Sequence, residues 1–199
     1  MLVNIIHPYT YKLKDGAFCI GPIEEFRERD ERISEFVGEC LSHKIKLLRH
    51  DCPRESSMGG ALELLSFKTD PFYHSILDRR VNKISTTHYG VPLPDEKPES
   101  VKLADWKRLK KVYSTRSVLR DKLGRHSKLF FIGGIFELCV VNSMGYVIKE
   151  FSDVKRELFC IEDLCVSLDD KKKEDTKEIF KKRNIQLIDY KEALDIITS

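Results

Sequence analysis

The sequence predicts an α/β fold of three layers, α/β/α, with a mostly parallel central sheet. Short apolar segments alternate with longer amphipathic segments along the chain, which is the order of elements in a parallel sheet with crossover helices. The apolar segments are also continuous rather than alternating, as in residues 129–132 (LFFI). Such strands are typical of a sheet that helices cover on both faces.

Composition and spacing predict each element in turn. Short segments rich in aliphatic and aromatic residues predict strands at residues 2–6, 45–48, near 82, 129–132, 158–161 and 185–188. Apolar residues at three- and four-residue spacing, or a charged helical composition, predict helices at residues 23–41, 101–123, 170–183 and 190–197. A further helix is expected to open around Glu137. Four prolines between residues 56 and 100 predict long loops around the third strand.

Length and charge limit the class of protein. The 199 residues predict a single domain over 1–199, and 41% hydrophobic with 34% charged residues is typical of soluble globular proteins. The 35 basic and 32 acidic residues are intermixed. A net charge of +3 leaves no strong field for a polyanion, so no nucleic-acid partner is expected.

Targeting signals and cysteine spacing point to an intracellular protein. The N-terminal residues lack the basic lead and cleavage site of a signal peptide, and no apolar run approaches the roughly 20 residues of a membrane span. We therefore expect a cytoplasmic location and no membrane partner. The six cysteines contain no C-x-x-C pair, so neither a disulfide framework nor a zinc framework is expected.

Three reactive side chains are expected where the predicted strands end. His7 follows the first strand, Lys83 lies at the third, and Cys139 starts the helix after residues 129–132. Parallel strands gather such groups at their carboxyl ends, near the point where the strand order reverses. A helix start favours thiolate over thiol and offers backbone amides to an oxyanion. The residues expected at this oxyanion turn are Ile135, Phe136 and Leu138.

Residues 131–140 (FIGGIFELCV) resemble the strand, glycine turn and Cys-Val segment of the isochorismatase-like cysteine hydrolase superfamily. Residues 158–165, a charged helix and residues 184–194 are similar to the C-terminal third of that superfamily. The order of elements matches over nearly the whole chain, while the specific motif is confined to about residues 129–195. The resemblance implies an isochorismatase-like fold in a divergent member.

The resemblance also implies a catalytic set, which this sequence matches in part. Members hydrolyse amide, carbamoyl or vinyl-ether substrates with an Asp after the first strand, a Lys near the third, and a Cys. Cys139 matches the nucleophile and Lys83 the lysine, but His7 stands in the position of the acid. A histidine with an ordinary pKa of about 6.5 suits removal of the thiol proton. Asp15 and Glu137 are the alternative carboxylates.

The resemblance further implies a small-molecule substrate and no cofactor. Metal-binding members use an Asp with two spaced histidines after the second strand, whereas this chain has only His50 and Asp51 there, so no metal is predicted. The superfamily often forms dimers or tetramers, and a homo-oligomer is the corresponding expectation. Residues expected to line the substrate pocket are Tyr9, His88 and Tyr89.

Three hypotheses about function follow. The first is a cysteine hydrolase that acts on a small-molecule amide, carbamoyl or related C–N or C–O bond through an acyl-enzyme. The second is a catalytically degenerate isochorismatase-like protein that serves as a ligand-binding or interaction module, which the replaced acid favours. The third is a flavodoxin-like module for a nucleotide or flavin.

Overall fold

Six parallel strands form the central sheet in a computed structural model that describes residues 1–7, 11–13, 23–52, 62–64, 80–87 and 89–199. The strands of this sheet, in chain order, are β1 (Leu2–Ile6), β3 (Lys46–Asp51), β5 (Val81–Ser85), β6 (Lys128–Gly133), β7 (Glu157–Ile161) and β8 (Gln186–Ile188). Their spatial order is β5-β3-β1-β6-β7-β8, and every neighbouring pair is parallel. The predicted fold class is therefore confirmed.

Helices connect the strands of the sheet. They are α1 (Ile23–Ser42), α2 (Leu103–Val112), α3 (Arg116–Leu123), α4 (Val141–Glu150), α5 (Asp170–Lys182) and α6 (Tyr190–Thr198). A π-helical turn, Phe136–Val140, leads directly into α4, and a short 3₁₀ turn, Glu162–Leu164, follows β7. In the described part of the chain, no helix combines the length and apolar composition needed to cross a bilayer.

Two apolar layers separate the sheet from its helices. One layer is built on Phe36 of α1 and Ile197 of α6, which pack against Ile5. The other is built on Leu119 of α3, Met144 of α4 and Phe180 of α5, with strand residues that include Ile6 and Leu129. Continuous apolar strands are needed for this arrangement because both faces of the sheet are buried.

The structure differs from the sequence prediction in two regions. The helix expected over residues 101–123 is two helices, α2 and α3. Ser114 and Thr115, which lie between them, are not helical and instead make hydrogen-bonded contacts at the edge of the sheet. The Ser114 hydroxyl accepts a hydrogen bond from the Ser85 amide at 3.0 Å, and Thr115 forms a bridge with Leu93. In addition, β2 (Tyr11–Leu13) and β4 (Leu62–Leu64) form a separate antiparallel pair within the predicted loops.

The strand order reverses between β1 and β6. From β1 the chain moves outward to β3 and β5, and it then returns to β6 and moves outward to β7 and β8 on the other side. The carboxyl ends of β1 and β6 therefore flank the switch point at which α/β sheets place their ligand sites. His7 follows β1 there, and the Gly133–Gly134 pair ends β6.

Replacement of Gly133 by Ala is expected to destabilise the protein. A Cβ at residue 133 would lie 2.6 Å from the Ile6 carbonyl oxygen, and its φ of +81° is strained for an L side chain. We expect a loss of about 2 kcal/mol or more in the free energy of unfolding, measured by urea denaturation.

The matched control for Gly133→Ala is Gly38→Ala, where the added Cβ meets no atom within 4 Å. Gly38 lies inside α1, so alanine should raise stability by up to about 1 kcal/mol. Equal effects at the two positions would contradict the steric interpretation.

Candidate functional site

Cys139 lies in the π-helical turn between β6 and α4, with 3% of its surface exposed. Its Sγ accepts a hydrogen bond from the Ile135 amide at 3.0 Å, and the thiol donates to the Ile135 carbonyl oxygen at 3.6 Å. Phe136 anchors the turn, because its ring packs edge-on against that of Phe180 in α5 with the ring centroids 5.3 Å apart. The sulfur is thus fixed at the switch point by its own turn.

The glycine pair brings the sulfur close to β1. A Cβ on Gly134 would lie 2.5 Å from Cys139 Sγ and 3.1 Å from the Ile6 carbonyl oxygen, so both atoms border the same small space above Gly134. Gly134 also has a φ of +58°. Only glycine satisfies both conditions, because any other residue would place a side chain where the sulfur lies.

The thiol of Cys139 is protonated at rest. Burial raises its pKa to about 12, while the Ile135 amide and the charge of Arg29 lower it and the neighbouring Cys165 raises it further. Burial therefore opposes the thiolate that the helix start is expected to favour. Desolvation penalises the charged sulfur more than the local amides stabilise it.

The three residues expected at the oxyanion turn differ in where their amides point. The Ile135 amide donates to the Cys139 sulfur. The Phe136 amide donates to the Val166 carbonyl oxygen at 2.8 Å, and the Leu138 amide donates to the Ile135 carbonyl oxygen at 3.2 Å. Of the three, Ile135 is therefore the residue whose N–H faces the reacting position.

His7 is buried directly after β1 and adopts a positive φ of 40°. Its amide donates to the His50 carbonyl oxygen at 3.1 Å, and its Nε2 lies 3.0 Å from the Thr86 hydroxyl. Thr86 follows β5, on the far side of β3 from Cys139. One ring nitrogen of His7 is therefore engaged on the side of β1 that faces away from the sulfur.

Lys83 lies in the middle of the edge strand β5, and its side chain is exposed. It pairs in register with Arg49, whereas Ile84 belongs to the apolar layer that contains Cys139. Successive residues of a strand point to opposite faces of the sheet, so Lys83 faces away from that layer. Among the described residues, no hydrogen bond or ion pair links Lys83 to Cys139.

A second buried histidine was not assigned a role from the sequence. His50, at the end of β3, places Nε2 3.2 Å from the Asn4 side-chain oxygen, and its Nδ1 is buried without a partner in the described structure. Burial, aided by the charge of nearby His7, lowers the His50 pKa to about 3. The Asn4 amide donates to the Phe130 carbonyl oxygen at 3.3 Å. These contacts tie β1, β3 and β6 together below the site.

A buried ion pair in α1 is the other group that the sequence analysis missed. Arg29 and Asp30 are each 2% exposed, and Arg29 donates from Nε at 2.8 Å and Nη2 at 2.5 Å to one Asp30 oxygen. The third Arg29 nitrogen, Nη1, donates to the Gly134 carbonyl oxygen at 3.2 Å. The signal was present, because both residues lie one helical turn before Ile33 on the buried stripe of α1.

The residues predicted to line a substrate pocket are only partly covered by the structure. Tyr9 and His88 lie outside the described residues. Tyr89 is 47% exposed and precedes Gly90, which packs against Cys139: a Cβ there would lie 2.7 Å from the Cys139 carbonyl oxygen. Ser143 of α4 donates to the Gly90 carbonyl oxygen at 2.7 Å. The segment around Tyr89 is thus anchored beside the candidate nucleophile.

The structure describes only one of the two carboxylates that are alternatives to His7 as the acid. Asp15 lies outside the described residues. Glu137 accepts hydrogen bonds from the Leu168 amide at 2.8 Å and the Ser167 hydroxyl at 3.1 Å. Its carboxylate therefore holds the loop after β7 against the turn that carries Cys139.

His50 and Asp51 are the last two residues of β3. The Asp51 carboxylate accepts hydrogen bonds from Arg49 at 2.7 Å and 3.0 Å, which occupies both of its oxygens. Within the described ranges, no group of three or more His, Cys, Asp and Glu side chains is arranged to hold a metal ion.

A cavity of about 730 Å³ lies between α1 and the loop after β7. Arg29 and Cys165 contribute to its wall, and its charged lining contains more carboxylates than cations. Cys165 also packs against the apolar layer that contains Cys139, and its thiol donates to the Ile161 carbonyl oxygen at 3.5 Å. The Cys165 side chain therefore lies between this cavity and the apolar layer that contains Cys139.

Comparison with known proteins identifies the fold. No family model matches the sequence, and no curated protein matches it. Solved structures do match. A nicotinamidase/pyrazinamidase from Bacillus subtilis has a TM-score of 0.58 at 13% identity, with 94% of this chain and 98% of that chain covered.

Two further structures agree with that match. A pyrazinamidase from Pyrococcus horikoshii, in complex with zinc, gives a TM-score of 0.56 at 14% identity, covering 95% of this chain and 98% of that one. A protein from Oleispira antarctica that is named as an isochorismatase hydrolase gives a TM-score of 0.56 at 11% identity, with 98% of this chain and 95% of that chain covered. The chain therefore has the isochorismatase-like α/β fold that residues 131–140 predicted.

The buried His50 is expected to make stability fall with decreasing pH. The unfolded imidazole titrates near pH 6.5, while the folded one stays neutral down to about pH 3. The unfolded state therefore binds the proton first, and stability that is present above pH 6.5 is lost as pH falls towards 3. The slope should be about 1.4 kcal/mol per pH unit in this window.

Urea denaturation of His50→Gln at several pH values between 7 and 4.5 measures this contribution. The variant should lose less stability on acidification than the parent protein. The same substitution at the exposed His43 is the control and should leave the pH dependence unchanged. Parallel pH profiles for the parent and His50→Gln would contradict the assignment.

The raised pKa of Cys139 predicts the pH dependence of its alkylation. Because a pKa of about 12 lies far above neutrality, the thiolate fraction should rise about tenfold per pH unit between pH 7 and 9. Iodoacetamide labelling of the peptide that contains Cys139, followed by mass spectrometry, gives the rate. A plateau below pH 9 would show that the thiol ionises more easily than its burial implies.

Proposed function

We propose that the protein is a hydrolase that uses Cys139 as a nucleophile on a small-molecule amide, carbamoyl or related C–N or C–O bond. The observation that carries the proposal is the hydrogen bond from the Ile135 amide to the Cys139 sulfur at the switch point of the sheet. A backbone donor aimed at a sulfur stabilises the thiolate, and it can then serve the oxyanion that forms on attack.

The chemistry proceeds in two stages. The Cys139 thiolate attacks the carbonyl carbon, and the resulting oxyanion lies against the Ile135 N–H. Collapse of this intermediate breaks the C–N bond, releases ammonia or an amine, and leaves a thioester on Cys139. Water then attacks the thioester carbonyl, which gives the carboxylic acid and restores the thiol. The scheme consumes one water molecule and requires no cofactor.

His7 is the proton acceptor in this proposal, and its ring has to turn from Thr86 towards the sulfur to take that role. It is buried directly after Ile6, whose carbonyl borders the same space as the Cys139 sulfur. It takes the thiol proton, gives it to the leaving nitrogen, accepts a proton from the attacking water, and returns that proton to the Cys139 thiolate as the thioester bond breaks. Lys83 takes no contact role in this scheme and contributes at most a long-range positive charge, because its exposed side chain faces away from the layer that contains Cys139.

The resting state of Cys139 requires that substrate binding promotes ionisation. A thiol with a pKa of about 12 is almost fully protonated at neutral pH. Proton transfer to His7 therefore becomes favourable only when substrate brings further polar groups to the sulfur. The segment of Tyr89 and Gly90 is a second source of polar groups near the sulfur, since Gly90 packs directly on the Cys139 carbonyl.

The likeness in fold suggests which amides to test first. Two of the structural neighbours are named for nicotinamide and pyrazinamide, which are aromatic carboxamides. We include these compounds in the proposed substrate class, together with aliphatic amides and carbamoyl compounds. We also propose a homo-oligomer, since one neighbour, from Escherichia coli, is an octameric hydrolase.

We place the protein in the cytoplasm as part of the same proposal. Among the residues that the structure describes, the cysteines at positions 40, 139, 160 and 165 form no disulfide. A reducing compartment maintains thiols in that state.

A ligand-binding module without catalysis is the second candidate function. The specific observations in its favour are the protonated, buried Cys139 thiol and the Nε2 of His7 that is already engaged with Thr86. Such a protein would bind a small molecule at the switch point without forming a covalent intermediate. The two candidates differ in whether Cys139 is needed for turnover.

Replacement of Cys139 by Ala should abolish hydrolysis. With a panel of small amides and ammonia release as the measurement, we expect a loss of about 10³-fold or more in kcat, since the nucleophile is removed. Cys165→Ala is the matched control, because it removes a neighbouring half-buried thiol and should retain activity within a few-fold. Persistent turnover in Cys139→Ala would reject the nucleophile, and ligand binding without turnover in the parent would favour the binding module.

A further inference from the structure

One peptide group connects a buried cation to the Cys139 sulfur. The peptide between Gly134 and Ile135 presents its carbonyl oxygen to Arg29 Nη1 at 3.2 Å. The same peptide presents its N–H to Cys139 Sγ at 3.0 Å. The guanidinium and the sulfur therefore lie at opposite ends of one amide.

The Gly134 carbonyl oxygen is held by two donors. Besides Arg29, the Val166 amide donates to it at 3.2 Å. The peptide plane is thus fixed from the α1 side by a charged group and from the β7 side by a backbone bridge. A fixed plane directs the N–H at the other end of the amide towards a fixed point, and Cys139 Sγ occupies that point.

Hydrogen bonds that share one amide reinforce each other. A donor on the carbonyl oxygen draws electron density towards it and makes the N–H a stronger donor, by about 10–30% per bond. A charged donor has a larger effect than a neutral one. Arg29 and Cys139 are both almost fully buried, so solvent screens this coupling little.

We propose that Arg29 is a positioning residue that promotes thiolate formation at Cys139 through the Gly134–Ile135 peptide. Its importance for turnover rests on the proposed function, whereas its effect on the sulfur does not. Arg29 acts through the peptide and needs no contact with substrate. The positive charge of Arg29 also lowers the pKa of Cys139, which is the direction that the proposal requires.

Asp30 completes the arrangement by orienting the guanidinium. It binds Nε and Nη2 of Arg29, so that Nη1 is left to face the Gly134 carbonyl oxygen. The ion pair also compensates much of the cost of burying a charged arginine. The pair is formed within α1, so the cation is in place before any ligand arrives.

A neutral replacement of Arg29 in the full chain tests the proposal. Arg29→Gln should slow iodoacetamide alkylation of Cys139 about three- to tenfold at each pH between 7 and 9, which corresponds to a rise of about 0.5–1 unit in the thiol pKa. Arg32→Gln is the matched control, because Arg32 is an exposed arginine on the same helix and lines the same cavity. The control should alkylate within twofold of the parent rate.

A second variant covers the case in which Arg29→Gln fails to fold. Arg29→Gln leaves the buried Asp30 carboxylate without this cation, whereas Arg29→Gln with Asp30→Asn removes both charges and leaves no buried carboxylate unbalanced by the lost guanidinium. The double variant should show the same slowing of alkylation. Unfolding is monitored by circular dichroism, so that the rate is compared only between folded proteins. A folded variant of either kind with parent-like alkylation would overturn the proposal and leave Arg29 as a structural cap of the Gly134 carbonyl.

The test separates this inference from the proposed function. Alkylation needs no substrate, so a slowed rate in Arg29→Gln supports the inference even if Cys139→Ala retains hydrolysis. Conversely, an unchanged rate in Arg29→Gln rejects the inference while loss of turnover in Cys139→Ala still supports the hydrolase. In an active hydrolase, Arg29→Gln should lower kcat at neutral pH and recover part of it at pH 9.

Discussion

The close approach of the glycine turn after β6 to the end of β1 is the constraint on which the candidate site depends. The Ile6 carbonyl oxygen lies 2.6 Å from the position that a Cβ of Gly133 would take, and Cys139 Sγ lies 2.5 Å from that of Gly134. The two glycines let two strand ends and a sulfur occupy a space that side chains would otherwise fill.

Two polar networks extend from the switch point, one on each side of it. On the β3 and β5 side, His7 meets Thr86, and His50 meets Asn4. On the β6 side, Cys139 is joined through the Gly134–Ile135 peptide to Arg29 of α1. Each network inserts polar groups into an otherwise apolar interior. Such groups are costly unless bonded, so each network holds its own part of the site in one geometry.

The likeness to solved hydrolases concerns the backbone more than the reacting groups. At 11–14% identity over nearly the full length, the fold is shared with nicotinamidase, pyrazinamidase and isochorismatase hydrolase structures. In this chain the position after β1 carries a histidine, the lysine of β5 faces away from the sulfur's layer, and a buried arginine contacts the glycine turn instead. The comparisons therefore show the fold, while the groups around Cys139 are known from this chain alone.

The sequence by itself determined the order of strands and helices, because apolar runs and three- to four-residue spacing are local properties of the chain. It also placed Cys139 in the turn after β6, since a continuous apolar run that ends in two glycines marks the end of a buried strand. The break between α2 and α3 was not visible, because Ser114 leaves the helix to meet Ser85, which is distant in sequence.

Only the tertiary structure decided which charges surround the sulfur. Strand pleating turned Lys83 away from the layer of Cys139, and helix packing brought Arg29 to the Gly134 carbonyl. Burial raised the pKa of the Cys139 thiol, which is opposite to the effect expected from the helix start. Electrostatics depend on distance and desolvation, which arise from contacts between residues far apart in the chain and cannot be obtained from local pattern.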